Sequence, residues 1–221
     1  MNPELSFHIG PISIAMSIVL TWGIMSLLFL FSWLSTRHLS EEPGPTQTIL
    51  EGAVTVMMDA IEEVLPGKSE MLLPFIGTLW IFILVANLSG IIPGISAPTG
   101  NLSVTAALAF LVFLSVHWYG IKSEGVKRYL LHYMSPSPIL LPFHLISEIS
   151  RTVALAVRLF GNIMSLEMAA LLVLLVGGLF VPIPLLMLHI VEAVVQAYIF
   201  GMLALIYVSG AIASQQRKKN E

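Results

Sequence analysis

Long apolar stretches broken by short polar turns set the rhythm of this chain. Runs of roughly 18 residues or more match the length that carries an α-helix across a bilayer. Five occur, near residues 12–34, 71–93, 101–120, 142–178 and 185–213. Turn signals separate them: PGISAPTGN at 93–101, a basic segment with Lys122, Lys127 and Arg128, and GGLFVPIP at 177–184. Residues 46–65 differ in kind. Ile49, Leu50, Ala53, Val54, Met57, Met58, Ile61, Val64 and Leu65 recur at helical spacing, with Glu51, Asp59, Glu62 and Glu63 largely on the other side. This pattern predicts an amphipathic helix along the membrane surface whose acidic face meets water or a partner protein rather than anionic lipid. The stretch 142–178 has 37 residues, about 55 Å as continuous helix at about 1.5 Å per residue. The hydrocarbon layer is only about 30 Å thick, so this helix must tilt steeply, bend or leave the membrane. Its long neighbour at 185–213 completes a tilted antiparallel hairpin, fit to embrace something curved.

Composition agrees with a helical membrane protein: 57% of the 221 residues are apolar and 10% charged, where a soluble domain carries roughly 25% charged residues. The alternation of a transmembrane barrel is missing. The expected fold is therefore all-α, with five transmembrane helices plus one amphipathic surface helix in a single membrane domain. Residues 11–34 are too long for a signal-peptide core and read as a retained span. Arg37, Lys68, Lys122, Lys127, Arg128, Arg217, Lys218 and Lys219 all fall on one side if the spans alternate, and none on the other. The positive-inside rule then places the amino terminus outside and the carboxyl terminus in the cytoplasm. A net charge of −3 gives no reason to expect nucleic acid. The chain has no cysteine, which excludes disulfides and thiolate metal sites. Walker loops, GxSxG and HExxH are all missing, so nothing in it is built to bind and hydrolyse a nucleotide. No internal repeat is evident, which argues against an inverted-repeat transporter.

The chemistry lies in polar residues inside the spans. Arg158 sits in ALAVRLFGNI, about a dozen residues from the nearest water boundary, and stays protonated wherever it is put. An arginine at that depth costs about 2.5–3.5 kcal/mol on insertion scales. Either it glues helices together, or it presents a fixed charge to a moving ion or a partner's carboxylate. Asn162 and Arg151 share its helical face, whereas Glu167 points about half a turn away. In the last span His189, Glu192 and Gln196 form one polar stripe. Residues at equal depth in an antiparallel hairpin have a constant sum of numbers, and Arg158 with Gln196 and Glu167 with His189 satisfy this closely. The expectation is two matched depths, Arg/Gln deeper and Glu/His nearer the outside. The outer pair, with Glu192 below it, is either a proton relay or a satisfied hydrogen-bonded pair. Glu148 and His144 either line an inner aqueous access or sit at the interface. Asn87 and Ser103 with Thr105 are possible polar walls, and His117 beside Trp118 and Tyr119 reads as part of an interfacial belt. One His and scattered carboxylates do not make a metal site.

SRTVALAVRLFGNIMSLE at 150–167, HIVEAVVQAYIFGMLALIYV at 189–208 and the earlier FIGTLWIFILVANLSGIIPG at 75–94 resemble the a subunit of F-type ATP synthases, the stator part of the membrane motor. The likeness runs from about residue 70 to 213. It implies that Arg158 is the essential arginine facing the rotor carboxylate, with Gln196 and Asn162 beside it. Glu167 and His189 would serve the outer half-channel, and Asn87 with Glu148 would be channel walls. The chain departs from the family pattern at Thr152, where a proline is frequent, at Met164, Ser165 and Leu166, and at His144, where some members carry a carboxylate. The implied mechanism has two offset half-channels, ions crossing only on rotor carboxylates, and Arg158 favouring the ionised form of each arriving carboxylate while blocking a direct leak. Implied partners are the rotor c-ring, peripheral-stalk b subunits, the soluble ATPase sector indirectly, and membrane lipid. No cofactor is called for. With no organellar targeting segment visible, a bacterial plasma membrane is the expected location. The alternative reading is a stand-alone proton-coupled secondary transporter or channel.

Overall fold

The computed structural model describes residues 6–9, 12–37, 44–92, 95–126, 141–177 and 183–216. Lys127, Arg128, Arg217, Lys218 and Lys219, which bear on the orientation, lie outside the described residues, as do Pro93 and Gly94. The chain opens with an antiparallel hairpin of β1 (Ser6–Ile9) and β2 (Ile12–Ala15), with Phe7 opposite Ile14 and His8 opposite Ser13. Residues 12–15, expected to begin the first span, are thus extended. Ile12 and Ile14 alternate with the small Ser13 and Ala15, a pattern that suits a strand as well as a helix head.

Six α-helices follow among the described residues: α1 (Met16–Thr36), α2 (Pro45–Val64), α3 (Ser69–Ser89), α4 (Leu102–Glu124), α5 (Leu141–Gly177) and α6 (Ile183–Gln216). All but α2 are long and apolar enough to cross a membrane. The chain is a multi-pass, all-α membrane protein. The helices alternate in direction, as cross-helix contacts require: the end of α3 meets the start of α6 through Asn87 and His189, and the end of α4 meets the start of α5 through His117 and Glu148. The end where α5 gives way to α6 is called the turn end below; the opposite one is the basic end, where Arg37, Lys68 and Lys122 lie.

Apolar burial is concentrated between α3, α4 and α6, with α5 packed against α4. Ile76, Ile83, Leu155, Leu159, Phe200 and Leu205 are fully buried there. Gly201 lets two helices meet closely. A Cβ at that position would overlap the Trp80 indole, which crosses α6, donates Nε1–H to the Tyr198 carbonyl at 3.2 Å and stacks on the Tyr198 ring at 6.1 Å. Asn101 caps α4 by accepting the Ser103 N–H at 2.8 Å and ties it to α1 by donating to Ser17 Oγ at 3.2 Å.

Helix α2 presents Ile61, and its C-cap residue Leu65, to the core and leaves Glu51, Asp59, Glu62 and Glu63 exposed. Gly67, at φ 75°, reverses the chain into α3, and Glu62 Oε1 accepts its N–H at 2.6 Å. Hydrogen bonding from the Ser69 side chain, then from the Gly67 N–H, holds the Glu62 carboxyl below its ordinary value. A lowered folded-state value means this contribution is present above the ordinary carboxylate range and is lost as pH falls through the folded value. The hydrogen-exchange protection of Gly67 is therefore expected to drop on acidification below about pH 4.3, the ordinary glutamate value. Glu62→Gln should flatten that dependence; equal acid sensitivity in both proteins would refute it.

Candidate functional site

Helix α5 is sparsely covered. Only 11% of its most apolar stretch is buried, against 50% of that in α3. Arg158 stands on its open side and makes no hydrogen bond or ion pair among the described residues; a Cβ on the neighbouring Gly161 would meet nothing. Ala154 and Ser165, each about one or two turns from Arg158 on the same face, are exposed as well. The result is a cation on a shallow, small-residue strip flanked by the apolar Val153, Val157 and Met164.

Gln196 lies behind this strip, 2% exposed. Its Oε1 accepts the Asn162 Nδ2–H at 2.7 Å, and its own Nε2 has no protein partner. Gln196 therefore meets Asn162 rather than Arg158, about one helical turn nearer the turn end than equal-depth numbering predicts. The Nε2–H donors are thus the part of this buried amide left without a protein partner.

A second group gathers at the turn end. His189 is 4% exposed, and its Nε2 lies 3.1 Å from the Asn87 carbonyl. The fully buried Asn87 accepts the Thr99 hydroxyl at Oδ1, 2.7 Å away, while its Nδ2 lacks a protein partner. Glu167 Oε1 accepts the Ala97 N–H at 2.9 Å, and both Glu167 and Glu192 interact electrostatically with His189. Gly100 lies against the Glu167 carboxylate: a Cβ there would be 3.3 Å from Oε2. The turn over residues 95–101 thus closes onto Glu167, and two carboxylates, an imidazole and an orphaned amide donor share one neighbourhood. Such a set can take up, pass on and release protons through bound water.

A third group occupies the basic end. His117 Nε2 lies 3.7 Å from Glu148 Oε2. The Arg151 guanidinium sits over the Tyr207 ring, 5.8 Å from its centroid. Between α4, α5 and α6 is a small cleft lined by Glu148, Arg151, Thr152, Leu155, Val112 and Tyr207, among others.

Of the residues singled out from sequence, Asn162 and Gln196 touch, and Asn87, Glu167, His189 and Glu192 gather at the turn end. Glu148 lies at the basic end. Ser103 is exposed, and its backbone N–H is donated to the Asn101 side chain that caps α4. His144 is exposed one turn before Glu148. Sequence reasoning missed Thr99 and Tyr207, and placed His117 in an interfacial belt without naming Glu148 as its partner. A search for a polar partner at the depth of Glu148 in the antiparallel α4 would have found His117; no local signal marks Thr99.

The sequence profile described as ATP synthase A chain matches residues 18–209. The chain is 60% identical over 214 residues to "ATP synthase subunit a 2" of Pelobacter propionicus, spanning 97% of this chain and 94% of that protein. It is 58% identical over 216 residues to "ATP synthase subunit a" of Legionella pneumophila strain Paris, with 97% and 94% covered. Against "ATP synthase subunit a 1" of Hahella chejuensis, identity is 62% over 205 residues, with 93% and 87% covered. With the motifs of α3, α5 and α6 inside the matched range, this chain belongs to the ATP synthase A chain family.

Proposed function

We propose that the chain is the proton-translocating stator subunit of a rotary ATP synthase in a bacterial inner membrane. The observation that carries this reading is the placement of Arg158: a cation without a partner among the described residues, on the uncovered face of α5, between two polar groups. Glu148 is ten residues before it and Glu167 nine after, about 15 Å and 13–14 Å along the helix. In this reading the turn-end group opens to the outside and the basic-end cleft to the cytoplasm. The amino terminus is then outside and the carboxyl terminus cytoplasmic, in keeping with Arg37, Lys68 and Lys122 at the basic end.

A rotor carboxylate brought against Arg158 is held in its ionised form by opposite-charge attraction in a low-dielectric setting. Its proton leaves through one group, and the next carboxylate is recharged through the other. Direct passage between the groups is opposed by the fixed charge. The chemistry of ATP stays in the soluble sector, and this chain moves ions only. Peripheral-stalk subunits hold it against the rotor.

Photo-crosslinking tests which face meets the ring. A benzophenone amino acid at Ser165, on the Arg158 face, is expected to capture the small rotor subunit in assembled complexes. The same group at Phe29 on the exposed side of α1 should not. Capture of the rotor from Phe29 and not from Ser165 would overturn the reading.

A further inference from the structure

We propose that His117, on α4, is a proton-handling residue of the inner access path, working with Glu148 across the α4–α5 contact. The inference rests on the function proposed above and adds a residue outside the α5–α6 hairpin to it.

The geometry leaves one ring nitrogen for the task. His117 Nδ1 lies 2.9 Å from the Phe113 carbonyl. A carbonyl can only accept, so Nδ1 carries the hydrogen and Nε2 is the position that gains or loses a proton. Nε2 is the nitrogen turned toward Glu148 Oε2, at 3.7 Å, beyond direct hydrogen-bond range and within the span of a bridging water. Both side chains remain partly open, at 29% and 16% exposure, so water reaches them. A proton taken onto Nε2 makes the imidazolium. Its return to Glu148 or to a water in the cleft restores the neutral ring, with Nδ1–H unchanged throughout. Nothing is consumed, and the pair can cycle.

The cleft gives the pair a direction. Its lining runs on α5 from Glu148 through Arg151 and Thr152 to Leu155. Leu155 is three residues from Arg158, about one turn along the helix. On α4 the lining runs from Val116, beside His117, to Val112. His117 therefore stands at the shallow end of a cleft whose deep end stops about one turn short of the arginine. Among the described residues, other charged or titratable groups near the pair include His144 and Arg151 on α5 and Tyr207 on α6, the last covered by the Arg151 guanidinium. A packing role alone would use the ring, tilted against Phe113 with centroids 4.4 Å apart, and would not need the nitrogen that faces Glu148.

The test uses whole complexes in inverted vesicles, reading ATP-driven membrane potential with an oxonol dye while nigericin and potassium hold the pH difference at zero. His117→Ala is expected to slow charge movement several-fold to about 100-fold, the low end of what a placed acid–base group contributes. Imidazole in the medium should restore much of it, without effect on wild type or on Arg158→Ala. His117→Phe, which keeps the ring packed on Phe113, should be impaired like the alanine variant and carries the test if His117→Ala fails to assemble. Wild-type rates in His117→Phe, or a loss in His117→Ala that imidazole does not relieve, overturn the proposal. Retained pumping in Arg158→Ala would instead overturn the function reading itself, so the two failures are distinguishable.

Discussion

Arg158→Ala is expected to abolish ATP-driven proton pumping and to raise passive proton permeability once the soluble ATPase is stripped from the membrane. The first effect follows from the position of the side chain. Arg158 has no partner among the described residues, so its removal breaks no ion pair there and leaves α5 packed as before. What is lost is the charge offered to a partner. Truncating one member of a close charge pair at an interface costs about 2–5 kcal/mol, and about 1.4 kcal/mol is a factor of ten. A fall of about 30-fold to several thousand-fold in pumping is therefore expected. The second effect arises because the fixed cation lies between the cleft ending at Leu155 and the group around Glu167. Arg158→Lys keeps the charge but loses the planar fork, so it should block the leak better than it supports pumping. Inverted vesicles with and without the ATPase separate the two readouts. Pumping near the wild-type rate in Arg158→Ala would return the arginine to a structural role.

Gly201→Leu is expected to prevent stable assembly through the fold rather than through the ion path. The added side chain occupies the place of the Trp80 indole, and neither the α3 nor the α6 backbone can retreat from a close-packed core without strain. Trp80 would have to leave its hydrogen bond to Tyr198 and its stacking on that ring. Overpacking of this kind costs about 1–3 kcal/mol or more, added to the lost hydrogen bond of about 1 kcal/mol. A second substitution decides the cause. Trp80→Ala combined with Gly201→Leu should recover much of the assembled subunit, because the leucine fills space the indole has vacated. Thermal stability of the purified complex and immunoblots of membranes measure both. An unchanged melting temperature in Gly201→Leu, or no recovery in the double variant, would show that this contact does not limit stability.

These two residues also differ in how legible they were. Arg158 is conspicuous because a permanent charge in an apolar run has to be explained by a partner, whatever the fold. Gly201 is an ordinary glycine in an apolar helix, and its importance exists only because Trp80, 121 positions earlier, crosses α6 at that level. The same division runs through the site. The polar stripe of His189, Glu192 and Gln196 is a property of one helix and follows from its periodicity. That Gln196 meets Asn162, one turn from where equal-depth numbering placed it, depends on how α5 and α6 slide past each other.

Hydropathy is additive along the chain, so the sequence by itself determined that five helices are long and apolar enough to span a membrane, that α2 is amphipathic, and that Arg158, Glu167 and His189 need partners. Its motifs also carried the family. Ile12–Ala15 was misjudged because four residues are too few to fix a period, and pairing with Ser6–Ile9 decided the matter. Only the tertiary structure brought Thr99 to Asn87, Ala97 to Glu167 and His117 to Glu148. These contacts join residues between 12 and 70 positions apart. The physical reason is that a lone polar group records its cost in the sequence through burial, whereas the partner that offsets this cost is chosen by packing between helices.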